Sequence, residues 1–205
     1  MNIIGAGLAG SEAALQLAQR GVHVRLFEMR PETETDVHRG GDCAELVCSN
    51  SLKSTKPESA AGMLKAELAA LGSQLIAAAG RSRVDAGGAL AVDRDEFSAD
   101  VTSMVKENPY IEYRVMCVSD PLDASLGAAD ATILATGPLT SDALAQWLVD
   151  KTGSDNLAFF DAAAPVVMAD SLDMDVLFRQ SRYEQDAPGD YLNAPFDKES
   201  YDAFI

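Results

Sequence analysis

Two groups of residues in this chain have the types and spacing to do chemistry. The first is Cys48, set in Glu45-Leu46-Val47-Cys48-Ser49-Asn50-Ser51. A buried structural cysteine ordinarily sits among apolar neighbours on one element. This thiol is followed at once by hydroxyl and amide groups that donate hydrogen bonds and bend the chain. A neutral thiol, with a pKa of about 8.5, is a weak nucleophile, so neighbouring donors or cations must favour its thiolate. Ser49, Asn50, Ser51, Lys53 and Lys56 are the candidates for that task. The second group is Gly5-Ala6-Gly7-Leu8-Ala9-Gly10, a G-x-G-x-x-G run. Its first glycine permits a tight turn and its second lets the backbone approach a pyrophosphate. Its third lets a helix pack close on the preceding strand, with the pyrophosphate on that helix's N-terminus.

Six residues alone would be weak evidence, and an ordinary glycine turn is the bland reading. Here the run follows a short apolar strand, opens a helix and is succeeded by a strand ending in Glu28. An acid there accepts from ribose hydroxyls, which favours FAD or NAD over a 2′-phosphorylated cofactor. Ala135-Thr136-Gly137, after the apolar run Ala131–Ala135, has small residues suited to close approach to the same nucleotide. With both segments in one chain, FAD is the expected tightly held cofactor, and Thr136 and Gly137 join Gly5, Ala6, Gly7, Leu8, Ala9, Gly10 and Glu28 as its binding residues.

The other reactive types are better read as structural. Cys117, in Val115-Met116-Cys117-Val118, reads as a small buried hydrophobe on a strand. Cys43 is ambiguous, and a disulfide with Cys48 is the less favoured alternative. Three cysteines are an odd number at spacings that match no zinc pattern, and two histidines are too few for a His-rich site, so no metal is expected. His23 reads as a surface residue; His38, in a polar loop before Cys48, reads as a loop residue with assistance to Cys48 as the sharper alternative. The absence of a signal peptide and of any apolar run of about eighteen residues leads us to expect a cytoplasmic protein with no membrane partner. A formal net charge of −16 argues against broad phosphate binding. Lys53, Lys56, Lys65, Arg81 and Arg83 are loosely grouped, as on many solvated faces.

The elements that must position these groups follow from periodicity. Residues 2–4 read as a buried strand, residues 11–20 as a helix closed by Gly21, and Val22 to Glu28 as an alternating strand, which makes a βαβ opening. Pro31 to Asp42 reads as a long polar loop. Pro57 opens one predicted helix reaching about residue 79, since Leu64, Leu68, Leu71 and Leu75 repeat at helical spacing. Ala89–Val92 reads as a strand, a helix from Arg94 buries Phe97, Val101 and Val105, and Ile111–Val118 is a further strand. Ala131–Ala135 is a predicted buried strand, a helix capped near Ser141 turns Leu144, Trp147 and Leu148 inward, Leu157–Phe160 is a short strand, and Asp197 starts a last helix. The expected class is α/β: a Rossmann-like FAD-binding domain of the glutathione-reductase type over 1–138, with 139–205 beginning an inserted substrate or NAD(P)H-side domain. A chain that stops inside an element reads as incomplete.

Several segments together resemble a known family. Gly5–Gly10, Glu45–Leu52, Gly87-Gly88-Ala89-Leu90-Ala91-Val92-Asp93-Arg94 and Ala135-Thr136-Gly137-Pro138-Leu139-Thr140-Ser141 look like the TrmFO family, formerly Gid. Asp161-Ala162-Ala163-Ala164-Pro165 and Ser181-Arg182-Tyr183 extend the likeness over the whole chain. The resemblance implies flavin-dependent methylation of C5 of a uridine in the tRNA T-loop. It also implies 5,10-methylenetetrahydrofolate as carbon donor and NADPH or NADH as reductant through FAD. It makes Cys48 the catalytic residue, acting on the uracil or on the transferred carbon, and tRNA the partner, with a homodimer as one arrangement. It further implies a longer protein, with a second functional cysteine beyond residue 205, and a family aromatic where Cys43 stands. The alternatives are another FAD-dependent tRNA- or rRNA-modifying enzyme, or a non-catalytic flavin-binding fragment.

Overall fold

The computed structural model describes residues 1–35, 37–153, 167–181 and 189–204. In chain order its first elements are β1 (Asn2–Ile4), α1 (Leu8–Gln19), β2 (Val24–Glu28), β3 (Ser51–Ser54), α2 (Ala60–Ala70) and α3 (Gln74–Arg81). There follow β4 (Arg83–Val84), β5 (Ala89–Val92), α4 (Arg94–Lys106), β6 (Ile111–Val115), β7 (Thr132–Leu134) and α5 (Asp142–Thr152). A small hairpin of β8 (Phe178–Arg179) and β9 (Leu192–Asn193) precedes α6 (Lys198–Phe204).

Every residue of β1 is buried, as a central parallel strand requires. Its neighbours on either side are β2 and β7, giving the all-parallel order β6-β2-β1-β7. Register places Ile3 opposite Leu26 and Ile133, and Ile4 opposite Phe27 and Leu134. Because side chains alternate along a strand, Ile3 and Leu26 face one side and Ile4 and Phe27 the other. The first side packs against Ala14 and Ala18 of α1 and Phe97, Val101 and Val105 of α4. The second packs against Val118, Leu126 and Leu144 of α5. The sheet is thus covered on both faces, and burying Phe27 or Phe97 contributes about 1.5–3 kcal/mol each. The α/β Rossmann-like expectation is met.

A second sheet, antiparallel in the order β3-β5-β4, leans on the same core through Leu90 and Val92. β3 was not expected from Ser51-Leu52-Lys53-Ser54, whose composition reads as a turn. Asn50 explains it: its backbone carbonyl accepts from Val92 N–H and its side-chain amide donates to Val92 O, both at 3.0 Å, so the polar run is zipped to β5.

Three expectations are corrected. The predicted single helix from Pro57 to about 79 is two helices, because Gly72 adopts φ +79 and Ser73 caps α3 by accepting from Ile76 N–H. Leu64 and Leu71 are 56% and 74% exposed, so the leucine repeat does not mark one buried stripe. The strand predicted to run to Val118 ends at Val115, so Cys117 is exposed instead of buried. The run Ala131–Ala135 forms a strand at the sheet's edge, where Leu134 is 36% exposed rather than buried. The predicted strand Leu157–Phe160 lies outside the described residues.

Candidate functional site

The glycine run forms the turn between β1 and α1, and each glycine has a distinct reason to lack a side chain. Gly5 has φ +99 and donates its N–H to Phe27 O at 2.8 Å, and a Cβ on it would lie 2.6 Å from the Ala135 carbonyl oxygen. A Cβ on Gly10 would lie 1.8 Å from the Gly5 carbonyl oxygen, so α1 can pack this close only through a glycine. Gly7 is the opposite case. Nothing stands within 4 Å of its Cβ position, and it precedes α1 with no side chain capping the helix. The helix's first N–H groups are therefore left for another acceptor. Close packing at Gly5 and Gly10 and open space at Gly7 fit the pyrophosphate of a dinucleotide.

The cleft beside this turn lies at the carboxyl ends of β1, β2 and β7, where the strand order reverses around β1. Gly5, Gly7, Glu28, Arg30, Cys117 and Thr136 are among its lining residues. Of the other expected cofactor residues, Ala6 is fully buried, with its N–H donating to Glu28, and Gly10 is buried under the turn. Leu8 and Ala9 border a second groove, between α1, α2 and β3. Gly137, at φ +66, opens a short 3-10 turn after β7, and Thr140 Oγ1 ties that turn by donating to Gly137 O while sharing a 2.6 Å hydrogen bond with Thr136 Oγ1.

Glu28 sits at the end of β2 with its carboxylate held from three directions. Its Oε2 accepts from Ala6 N–H at 2.8 Å, and its Oε1 accepts from Arg30 N–H at 3.1 Å and Arg30 Nε at 2.9 Å. Burial pushes its pKa up, but Arg30's hydrogen bond and charge, with the two backbone N–H groups, outweigh that and hold the carboxyl below its usual range. An ionised carboxylate oxygen offers about two acceptor positions, so Oε2 retains capacity for a ribose hydroxyl.

Arg30 is the residue sequence reasoning missed. The signal in sequence is an arginine two positions past the strand-end acid, which composition alone does not mark as buried. Its side chain is 4% exposed and bridges Glu28 to Glu45, whose Oε2 accepts from Nη1 at 2.9 Å. It also donates to Asp42 O at 3.1 Å. Glu45 in turn accepts from Arg39 N–H at 2.6 Å and Gly40 N–H at 3.3 Å, so one carboxylate organises the loop before the cysteine segment. Ala44 N–H donates to Ala6 O at 2.8 Å, and Cys43 N–H to Thr102 Oγ1 at 2.8 Å.

These bonds fix the start of the segment that carries Cys48. Four residues of chain reach at most about 14 Å, so Cys48 is confined near the glycine turn. It is a free, half-buried thiol in a bend and lies outside the lining of the cleft. Of the donors expected around it, the Asn50 amide donates to Val92 O, while Ser49 Oγ accepts from Ser51 N–H at 3.1 Å. Cys43 is a free buried thiol pushed up to about 11 by burial, against a hydrogen bond from Thr102 and with the Glu28 charge adding to the rise. Neither residue forms a disulfide. His38 lines the cleft with Nδ1 2.7 Å from Thr35 Oγ1, while His23 is exposed and packs its ring 4.9 Å from that of Tyr110. Among the described residues no group of three or more His, Cys, Asp or Glu is placed to hold a metal ion, and no helix is long and apolar enough to cross a membrane.

A family model described as Glucose inhibited division protein A matches residues 1–205. Three proteins named methylenetetrahydrofolate--tRNA-(uracil-5-)-methyltransferase TrmFO are similar along the whole chain. The one from Lactobacillus acidophilus is 50% identical over 205 residues, which are 100% of this chain and 45% of that protein. Those from Syntrophomonas wolfei and Bacillus subtilis are each 51% identical over 204 residues, again 100% of this chain and 45% of theirs. The chain therefore spans about half the length of the curated relatives it matches. A solved structure of Aquifex aeolicus GidA aligns with a TM-score of 0.47 at 18% identity, over 60% of this chain and 20% of that one.

Proposed function

The chain belongs to the Glucose inhibited division protein A family, and on that premise we propose that it is the flavin-binding portion of a tRNA (uracil-5-)-methyltransferase. In this reading the carbon comes from 5,10-methylenetetrahydrofolate, the electrons from NADPH or NADH, and the target is C5 of a T-loop uridine. The observation that carries it is identity of about half, over the entire chain, to relatives named for folate-dependent methylation of tRNA uracil. The cradle supports it by matching what a dinucleotide such as FAD needs.

The chain's own residues divide the work. The α1 N-terminus and Gly7 receive the pyrophosphate, and Glu28, kept ionised by Arg30, accepts from a ribose hydroxyl. Thr136 and Gly137 close the cleft from β7. FAD, when bound there, supplies two-electron redox chemistry. Cys48 supplies the covalent nucleophile. Uracil C5 is a poor nucleophile until a thiolate adds at C6; the S–C6 bond forms and the C5=C6 electron pair passes to C5 and O4 as an enolate. The one-carbon unit is the other electrophile this thiolate can meet.

Two measurements test the reading. Titration of the protein with FAD should quench flavin fluorescence; unchanged fluorescence sinks the cofactor assignment for this chain. In the full-length protein, Cys48→Ala should abolish methylation while leaving FAD content intact, and wild-type turnover would remove Cys48 from catalysis. RNA carrying 5-fluorouridine separates the two electrophiles, since an adduct at Cys48 assigns the thiolate to uracil C6. A second reading, a flavin-binding module without methyl transfer, rests on the dinucleotide cradle at Gly5, Gly7 and Gly10 alone; FAD binding without methylation by the full-length protein would favour it.

A further inference from the structure

β3 and β5 are out of step. Ser51 pairs with Ala91 and Ser54 with Ala89, so three steps along β3 match two along β5 and one residue is extra. Lys53 sits in that bulge at φ +67, the left-handed region that glycine occupies without strain. Bulges of this kind re-aim a side chain out of the ladder, and strained positions concentrate where function requires them. Of the two non-glycine residues at positive φ among those described, Ala44 is buried, and Lys53 alone carries a charged side chain into solvent.

That side chain is exposed and shares a groove between α1, α2 and β3 with Lys65. Lys65 is half-buried, and its Nζ donates to Ser54 O and Ala61 O, both at 3.0 Å. An ammonium group has three donors, so one remains directed elsewhere. Burial lowers the Lys65 pKa, and the positive charge of Lys53 adds to that fall. Among the described residues, neither ammonium has a carboxylate within ion-pair distance. In a chain with 32 acidic and 16 basic residues, these two cations stand together, and the acid lining the same groove, Glu12, is taken up by Ser73 Oγ and the Gln74 and Leu75 N–H groups. The two lysines also stand next to the cysteine segment. Lys53 is five residues beyond Cys48, within a reach of about 18 Å.

We propose that Lys53 and Lys65 form a phosphate-contacting pair that holds the RNA backbone beside Cys48. The proposal rests on the reading that this protein acts on RNA. It places a local cationic contact on a molecule whose overall charge repels nucleic acid, so such contacts decide where the RNA sits.

The test uses full-length protein and an unmodified tRNA transcript, with affinity measured by filter binding across a salt series. Loss of both contacts in Lys53→Gln/Lys65→Gln should reduce the slope of log K against log salt by about 1.4–1.8, given roughly 0.7–0.9 per phosphate contact. Reduction of bound FAD by NADPH should be unchanged. Lys53→Arg should keep the wild-type slope. Lys53→Gly, which suits the bulge, should match or exceed wild-type Tm while losing about half of the double variant's slope change. A wild-type slope in the double variant overturns the pair, as does a Lys53→Gly variant that unfolds earlier yet binds RNA normally, since that marks a structural lysine. A raised KM for folate with unaltered RNA binding also overturns it and assigns the pair to carboxylates of the co-substrate. If the wild-type protein shows no salt-dependent RNA binding at all, the functional reading itself has failed, a result distinct from the others.

Discussion

Arg30→Met tests the claim that one buried guanidinium holds the cofactor-strand carboxylate and the cysteine segment together. The side chains of Arg30, Glu28 and Glu45 are 4%, 6% and 14% exposed, so the substitution leaves two sheltered carboxylates without their shared counterion. Removing one partner of a buried pair destabilises by about 3–5 kcal/mol. For a chain of this size each kcal/mol shifts Tm by about 2–4 °C, so the loss should be about 6–20 °C by circular dichroism. The pH dependence is the sharper readout. In the wild type, Glu28 has a lowered pKa, so its contribution is present above the unfolded carboxylate's ~4.3 and is lost as pH falls through the lowered folded value. Without Arg30, burial is opposed only by the Ala6 and residue-30 backbone N–H groups, and the shift should reverse to a raised pKa. Protonation then relieves the variant, so its Tm deficit should shrink as pH drops from 7 to 5. FAD affinity should fall as well, because a neutral carboxyl is a poorer acceptor for a ribose hydroxyl. Arg30→Lys, which keeps a charge but not the fork, should lie between the two. A Tm loss under about 2 °C, with no pH dependence and unaltered FAD binding, would refute the reasoning.

Two further predictions concern the cradle and the thiols. Gly10→Ala, whose methyl would meet the Gly5 carbonyl at 1.8 Å, should destabilise by at least the ~1–3 kcal/mol of an overpacked site. Gly7→Ala, with nothing within 4 Å, should leave stability within about 1 kcal/mol while weakening FAD binding about tenfold or more by fluorescence titration; equal effects of the two on Tm would contradict the geometry. Alkylation of the native protein with iodoacetamide at pH 8, read by peptide mass spectrometry, should label Cys117 and Cys48 and spare Cys43 until denaturant is added. With a pKa of about 11, Cys43 has roughly one thiolate in a thousand at that pH and is fully buried besides.

What could be read from the sequence was whatever depends on local pattern. The β1–turn–α1–β2 unit, the helix of Phe97, Val101 and Val105, and the strand of Ala89–Val92 each carry their own periodicity, and the structure reproduces them. The misreadings share a different cause. Leu64, Leu68, Leu71 and Leu75 keep helical spacing across Gly72, so periodicity joined two helices that a left-handed glycine separates. β3 exists because Asn50 is bonded to Val92, forty-two residues away, and a local window does not see that pairing. Cys117 looks like core by its apolar neighbours, yet the strand ends two residues earlier and the cleft takes its place. Beside the cleft, the glycine turn and the strand-end acid Glu28 were legible because the turn is written in consecutive residues. Arg30 was not, because its partners Glu28 and Glu45 flank a loop whose path is set by folding.

The same network explains why a parallel sheet and an antiparallel sheet are joined at this place. The role proposed for Cys48 requires a fixed position relative to the cofactor, although the residue lies in a bend without a helix or strand of its own. The chain solves this from both sides of the segment. Before Cys48, Ala44 is bonded to Ala6 in the glycine turn and Glu45 is tied through Arg30 to Glu28. After it, Asn50 is bonded to Val92 on β5, which lies in the core shared with α1 and α4. The glycine turn and Glu28, proposed above to receive the nucleotide, are thus also the groups that anchor the cysteine segment. Ala6 accepts from Ala44 while donating to Glu28, so the Glu28 carboxylate is two hydrogen bonds from the segment carrying the thiol. The Glu28–Arg30–Glu45 network and the Ala6–Ala44 bond therefore tie the glycine turn directly to the segment that places Cys48.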